Sequence, residues 1–180
     1  LSGQSNMVGQ GQASELPEDL RKPHDRIRFW CEGTWQYLVP SRRFGPEVSL
    51  ARELAKAWPD DTIGIIRVAI GGTGILAFVP DWKKEHADRT KDGHKGSLYK
   101  RMTECVEAAR KVSTFEVGGF VWKQGGKDGK AGGASKEYLA HFRSIVEGLR
   151  KDTAAPEMPA FVSTYMSTAE LEKYVASPEY

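Results

Sequence analysis

The sequence has little cysteine, no long apolar run and no concentration of charge of one sign. Only Cys31 and Cys105 occur among 180 residues. They allow either one disulfide or two buried thiols, and their spacing does not decide between these. No apolar run approaches the roughly 20 residues that span a bilayer, so no transmembrane helix is predicted. Basic and acidic residues are interspersed and the net charge is +2, which argues against a dedicated nucleic-acid surface.

Motifs for metal, phosphate and dinucleotide sites are also absent. The two cysteines and four histidines show no zinc-ligand spacing. The stretch "QGGKDGKAG" has Gln124 where a phosphate-binding loop needs glycine, and Ala131 where it needs Ser or Thr. The opening "GQGQAS" lacks the third glycine of a dinucleotide-binding turn. We therefore expect no metal and no organic cofactor.

Strand-like and helix-like patterns alternate along the chain, and nothing divides residues 1–180 into two domains. The predicted strands are 27–31, 34–39, 62–70, 115–122 and 159–166, with a hairpin turn at Gly33. The predicted helices are "GPEVSLARELAKAWP" with Trp58 ending its apolar face, 97–112, 135–151 and 167–175. Segments 81–96 and 123–134 are expected to be surface loops. The alternation predicts an α/β fold with a mainly parallel sheet.

Two of the predicted buried strands end in a glycine-rich polar motif. The strand over 62–70 is followed by "GGTG" at 71–74, and "GGFVW" by "KQGGKD" at 123–128. Ligands of an open parallel sheet bind beyond the carboxyl ends of its strands, so we expect the two motifs to lie close together. The opening "GQSNMVG" has the same character. We interpret Leu1 as the last residue of a central first strand, and the domain as trimmed at this end.

These motifs supply the groups that acyl transfer needs. Ser5, on a strand-to-helix turn, is the candidate nucleophile, and its own N–H would face the reacting centre. A backbone N–H at Gly71 or Gly72 and the side-chain amide of Gln124 would donate to an oxyanion. The alternatives are structural: Ser5 or Asn6 caps the helix, the glycines end a strand, and Gln124 is an ordinary loop amide.

The blocks "GQSNMVGQG", "FGPEVSLARELA", "VAIGGTGI" and "GFVWKQGGKD" follow one another in this order, over roughly residues 1–165. Together they resemble the SGNH-hydrolase superfamily, in particular its sialate O-acetylesterase and carbohydrate-esterase branch. The resemblance implies a flavodoxin-like three-layer α/β/α fold and removal of acetyl groups from O-acetylated carbohydrate. Matched motif by motif, Ser5 would be the nucleophile, with an oxyanion hole formed by the N–H groups of Ser5 and Gly72 and the Gln124 amide. It also implies a secreted or periplasmic location.

The chain departs from the family pattern at two points. Where the family has "QGE-x-D", this chain has "QGGKD", so Gly126 replaces the glutamate while Asp128 is retained. The family's general base is a histidine in a "D-x-x-H" motif, which does not occur here. We expect that motif in a segment after Tyr180. None of the chain's own histidines is predicted to be the base; they are His24, His86, His94 and His141.

Two other functions fit the same motifs. One is a non-catalytic carbohydrate-binding relative that has lost the triad, and "Asp-x-x-His" after Tyr180 in the parent sequence would argue against it. The other is an esterase for non-sugar esters, which a series of acyl lengths would distinguish.

Segment 81–96 is expected to be a solvated loop, or else a substrate-side lid with Trp82 facing a sugar ring. Arg42 and Arg43 are candidates to meet an acidic sugar.

Overall fold

The computed structural model describes residues 1–130 and 134–163, without the side chains of 129, 130 and 134–136. Helices and strands are interspersed along these residues, but they do not alternate strictly. The predicted helix over 167–175 and the end of the predicted strand over 159–166 lie outside the described residues.

The described elements are as follows. The strands are β1 (Ser2–Gly3), β2 (Gly11–Gln12), β3 (Ile27–Cys31), β4 (Thr34–Tyr37), β5 (Arg43–Phe44), β6 (Ile63–Ile65), β7 (Val68–Ala69), β8 (Phe120–Lys123) and β9 (Ala160–Val162). The α-helices are α1 (Ser5–Val8), α2 (Glu18–Arg21), α3 (Glu47–Ala57), α4 (Lys84–Ala87), α5 (Leu98–Arg110), α6 (Gly126–Lys130) and α7 (Ala134–Asp152).

A four-stranded sheet in the order β7-β1-β8-β9 carries the three glycine-rich motifs. Every neighbouring pair in it is parallel, and helices surround it, which confirms the α/β class. The first strand is an inner one, as predicted. It consists of Ser2 and Gly3, however, so the interpretation of Leu1 as its last residue is wrong.

A second sheet has the order β4-β3-β6. β3 and β4 form the predicted hairpin, and φ is positive at both Glu32 (50°) and Gly33 (80°), as a tight two-residue turn requires. The single strand predicted over 62–70 is wrong, because β6 pairs with β3 whereas β7 pairs with β1. Between them, Arg67 forms a 2.8 Å ion pair with Glu47. The continuous run of β-branched residues over 62–70 does not show that the chain leaves one sheet and joins another within it.

The strand predicted over 115–122 is also shorter, since β8 begins at Phe120. Glycine is a weak strand former, and Gly118 and Gly119 precede the strand. Upstream of them, Phe115 packs edge-on against Trp35 of the hairpin, with ring centroids 5.9 Å apart. The aromatic residue at the start of the predicted strand therefore packs against the second sheet.

The long helices α3, α5 and α7 agree with the predictions within a few residues. Ser97 caps α5 by accepting a hydrogen bond from the Lys100 N–H at 3.1 Å. Trp58 is an exception, because α3 ends at Ala57 and the indole is 52% exposed. The two predicted loops contain short helices, α4 in one and α6 in the other.

The larger core packs around Trp122 of β8, which is fully buried. Its ring lies edge-on to Phe78 at 4.9 Å, and its indole N–H donates to the Tyr138 hydroxyl at 2.9 Å. Helix α7 contributes the apolar face that its sequence predicts, formed by Phe142, Ile145, Val146 and Leu149. This core lies against β7 and β8, so it fixes the strand ends from which the glycine-rich motifs project.

Candidate functional site

Ser5 lies where β1 passes into α1, the strand-to-helix turn that the sequence predicts. It is the first residue of the helix. The N-cap is Gln4, which makes no side-chain capping bond, so the alternative in which Ser5 or Asn6 caps the helix is wrong. The Ser5 carbonyl accepts hydrogen bonds from the Gly9 N–H at 3.0 Å and from Gln10 Nε2 at 3.1 Å. Its hydroxyl and its own N–H have no hydrogen-bond partner among the described residues.

The glycine-rich motifs meet at one edge of the central sheet, as predicted. Gly3 at the end of β1 is in register with Ala69 of β7 and with Lys123 of β8. The motifs that follow β7 and β8 therefore flank the Ser5 turn. A Cβ atom placed on Gly71 would lie 3.9 Å from the Cβ of Ser5, so the structure brings these two residues together.

The glycine loop, which we define as residues 71–75, presents unpaired backbone donors. The N–H groups of Gly71, Gly72 and Thr73 have no partner within residues 1–130 and 134–163. Gly72 is exposed with φ +58°, and a Cβ there would meet nothing within 4 Å. Successive N–H groups beside a left-handed residue form concave sites that favour negative charge. The loop can therefore donate to an oxyanion next to Ser5.

Two buried aspartates hold the far end of the glycine loop. Asp92 accepts a hydrogen bond from the Gly74 N–H at 2.8 Å, and Asp128 accepts one from the Ile75 N–H at 3.0 Å. Burial raises the pKa of the Asp128 carboxyl above its usual range. Burial also acts to raise the pKa of Asp92, but hydrogen bonds from two lysines and Thr90 outweigh it and hold that pKa below its usual range.

Gln124 follows β8 and is fully buried. Its side-chain nitrogen donates to the Thr73 carbonyl at 2.9 Å and to the Asp128 carboxylate. A primary amide carries two N–H donors, so both are engaged, and neither points freely into the cleft as the sequence-based expectation requires. The contacts support a bracing role for Gln124, in which it ties the glycine loop to α6. Its role as an oxyanion donor stays a prediction.

We expect Gln124→Met to lower the free energy of unfolding by about 1–3 kcal/mol, because the substitution leaves a buried carbonyl and a buried carboxylate without their donor. Urea unfolding followed by tryptophan fluorescence measures this loss. Turnover per folded molecule should fall by less than the 10²–10³-fold typical of a deleted oxyanion donor. A stable variant with turnover reduced by that full factor would show instead that the amide acts on the oxyanion directly.

The lowered pKa of Asp92 predicts a loss of stability in acid. A carboxyl whose pKa is lowered by folding stabilises the fold above its unfolded value, near 3.8 for Asp, and this contribution is lost as the pH falls through the folded value. The unfolding free energy of the parent should therefore drop more steeply below pH ~4 than that of Asp92→Asn. Urea titrations at several pH values measure both slopes, and equal slopes would contradict the assignment.

None of the four histidines reaches the candidate nucleophile, as the sequence predicts. All four lie in the described residues, and no hydrogen bond joins any of them to the Ser5 hydroxyl. His24 accepts from the Arg26 N–H at 3.2 Å through Nδ1. His141 Nε2 is 3.5 Å from Glu137 on α7. The proton acceptor for Ser5 is therefore not among these imidazoles in this structure.

An open groove of about 300 Å³ adjoins the Ser5 turn. Its lining comprises Asn6, Gln10, Gly11, Phe44, Gly45, Pro46 and Ser49. Arg43 is exposed and donates to Gln10 of this lining at 3.3 Å, so one of the two arginines proposed for an acidic sugar stands at the groove. Trp82 is half-buried, and its indole nitrogen is buried, which does not fit the expected exposed face for a sugar ring.

Sequence reasoning missed Asp92 as part of the site. Segment 81–96 is expected from the sequence to be a solvated loop, whereas the Asp92 side chain is fully buried against the glycine loop. The separation of 18 residues between Asp92 and Gly74 leaves no local pattern that could have revealed the contact.

The described residues contain no group of three or more His, Cys, Asp or Glu side chains placed to hold a metal ion. Cys31 and Cys105 are free, so the disulfide alternative is wrong, and both thiols are half-buried rather than fully buried. Among the helices of residues 1–130 and 134–163, none has the length and apolar character to span a bilayer.

Three solved structures share this fold. An Arabidopsis thaliana protein has a TM-score of 0.69 at 21% identity, and the match covers 90% of this chain and 71% of that one. A carbohydrate acetylesterase from Xanthomonas citri has a TM-score of 0.63 at 19% identity, and the match covers 89% of this chain and 40% of that one. A protein named NanS has a TM-score of 0.65 at 19% identity, and the match covers 90% of this chain and 65% of that one. At these low identities, the three matches establish the fold alone.

The family is established by the sequence itself. A family model described as "Carbohydrate esterase, sialic acid-specific acetylesterase" matches residues 1–177, which include the Ser5 turn, the glycine loop and the Gln124 motif. The match extends over nearly the whole chain, and the chain belongs to this carbohydrate esterase family.

Proposed function

We propose that this protein is a serine esterase that removes O-acetyl groups from carbohydrate through an acetyl-enzyme. One observation carries the proposal. The Ser5 hydroxyl, without a partner among the described residues, stands beside a loop whose N–H groups at Gly71, Gly72 and Thr73 are also unpaired there. A free nucleophile next to free backbone donors is what acyl transfer requires.

In the proposed reaction, Ser5 Oγ attacks the acetyl carbonyl and loses its proton to a general base. The carbonyl oxygen becomes negatively charged, and the N–H groups of Ser5 and Gly72 stabilise it. The carbon–oxygen bond to the sugar then breaks, and the sugar alcohol leaves with the proton returned by the base. Water, deprotonated by the same base, attacks acetyl-Ser5 and releases acetate. The Gln124 amide would join as a third donor only by leaving Thr73 or Asp128.

The base in this scheme is a histidine supplied from outside residues 1–180. This part of the proposal is supported by the contacts of the four histidines, none of which involves the Ser5 hydroxyl. A histidine oriented by an acidic residue matches the needs of a serine nucleophile at neutral pH.

The substrate in this proposal binds through the sugar rather than through a long acyl chain. The groove of about 300 Å³ is lined by amide, hydroxyl and glycine positions together with the Phe44 ring. Polar side chains that converge beside an aromatic ring suit a sugar's hydroxyl groups and its apolar face. Arg43 at the rim makes an acidic sugar a candidate. The secreted or periplasmic location that we propose rests on the family resemblance alone.

An acyl-length series on the full-length natural protein tests the function. Hydrolysis of p-nitrophenyl acetate, butyrate and octanoate is followed, together with acetate release from acetylated sugars. We expect kcat/KM to be at least about tenfold higher for acetate than for butyrate, a difference typical of a close-fitting acyl pocket. A preference for octanoate would favour a non-sugar esterase. Binding of acetylated sugar without release of acetate would favour the non-catalytic relative.

A further inference from the structure

Two lysines from different parts of the chain converge on the carbonyl side of the glycine loop. Lys95 Nζ donates to the Gly71 carbonyl at 3.3 Å and to the Gly72 carbonyl at 3.0 Å. Lys127 Nζ donates to the Gly72 carbonyl at 2.7 Å. Both ammonium groups also contact the buried carboxylate of Asp92, at 2.7 and 2.8 Å. Their side chains are only 13% and 29% exposed, which is unusual for lysine.

These contacts set the direction of the neighbouring N–H groups. In a trans peptide the C=O and the N–H point in opposite directions. A cation bound to the Gly71 carbonyl therefore directs the Gly72 N–H away from it, and one bound to the Gly72 carbonyl does the same for the Thr73 N–H. Gly72 has φ +58° and open space around it, so its peptide groups would otherwise be free to rotate.

The same contacts strengthen the N–H groups as donors. A hydrogen bond to a carbonyl polarises its amide and makes the attached N–H a better donor, and an ionised partner increases the effect. The two lysines engage the carbonyls of two of the three peptide units whose N–H groups are unpaired among the described residues. The contacts thus bear on donor strength as well as on direction.

We propose that Lys127 and Lys95, held together by Asp92, are positioning residues that fix the peptide groups on both sides of Gly72 and so orient its N–H for the developing oxyanion. The inference rests on the proposed esterase function. It also bears on the departure from "QGE-x-D", because Lys127 directly follows Gly126, the position at which the family has a glutamate.

Lys127→Met tests the proposal, with Lys127→Arg as the rescue variant and Lys84→Met as the matched control. Lys84 forms a 2.8 Å bond to Asp88, like the bond of Lys127 to Asp92, but has no contact with the glycine loop. In the full-length protein we expect Lys127→Met to lower kcat by roughly 10- to 100-fold with KM changed by less than about twofold. Lys127→Arg should recover most of kcat, and Lys84→Met should match the parent.

A second measurement does not depend on activity. In ¹⁵N-glycine-labelled protein, the Gly72 amide resonance should move in Lys127→Met and in Lys95→Met and stay unchanged in Lys84→Met. An unmoved Gly72 resonance would overturn the proposal, and so would a moved resonance with parental kcat. If the parent itself hydrolyses no ester, the proposed function fails, and the Gly72 resonance still decides whether the lysines hold the loop.

Discussion

Ser5→Ala is expected to abolish acetyl-ester hydrolysis while leaving the fold intact. Loss of a serine nucleophile lowers kcat by on the order of 10⁴-fold or more. The fold should be unaffected, because the Ser5 hydroxyl has no hydrogen-bond partner among the described residues and alanine is favourable in a helix. Acetate release and the urea unfolding midpoint, measured on the same preparation, report the two effects separately.

Ser144→Ala is a suitable control for this substitution. The Ser144 hydroxyl donates to the His141 carbonyl at 2.8 Å within α7, away from the glycine-rich edge. It should keep parental activity. Near-parental hydrolysis by Ser5→Ala would remove Ser5 as the nucleophile and with it the proposed mechanism.

Gly3→Ala is expected to prevent folding. A Cβ on Gly3 would lie 2.1 Å from the carbonyl oxygen of Lys123, and φ at this position is +147°. The obstructing atom belongs to the backbone of the neighbouring strand β8, so relief requires separating two central strands. We expect destabilisation of more than about 4 kcal/mol, seen as insoluble protein or as a lost unfolding transition.

Gly33→Ala is the control that separates the effect of the steric clash at Gly3 from the effect of a positive φ. Gly33 also has a positive φ, +80°, but a Cβ there would meet nothing within 4 Å. This substitution should cost only about 1–2 kcal/mol, the cost of a left-handed alanine. Equal destabilisation by the two variants would mean that conformation alone, rather than the close approach of β1 to β8, requires glycine at position 3.

The parts of this fold that follow local rules could be predicted from the sequence. The apolar spacing of α3, α5 and α7 is set by the 3.6-residue period, and the hairpin at Gly33 by a turn that favours glycine. The meeting of the Ser5 turn with the "GGTG" and "KQGGKD" motifs follows from parallel strands, whose carboxyl ends share an edge.

The parts that depend on distant contacts could not be predicted. The run over 62–70 divides between two sheets, and its apolar residues suit either sheet equally well. Asp92 and Lys127 are charged residues in segments that resemble solvated loops, and only the folded chain shows them gathered at the glycine loop. The orientation of the Gln124 amide likewise depends on a carbonyl 51 residues away.

Covalent labelling tests the central claim, that Ser5 is an activated nucleophile, most directly. The full-length protein and its Ser5→Ala variant are treated with a fluorophosphonate, which phosphonylates activated serines, and the adduct is located by peptide mass spectrometry. The account predicts a single adduct on the peptide that contains Ser5, and no adduct in the variant. Labelling of another serine, or equal labelling of both proteins, would contradict it.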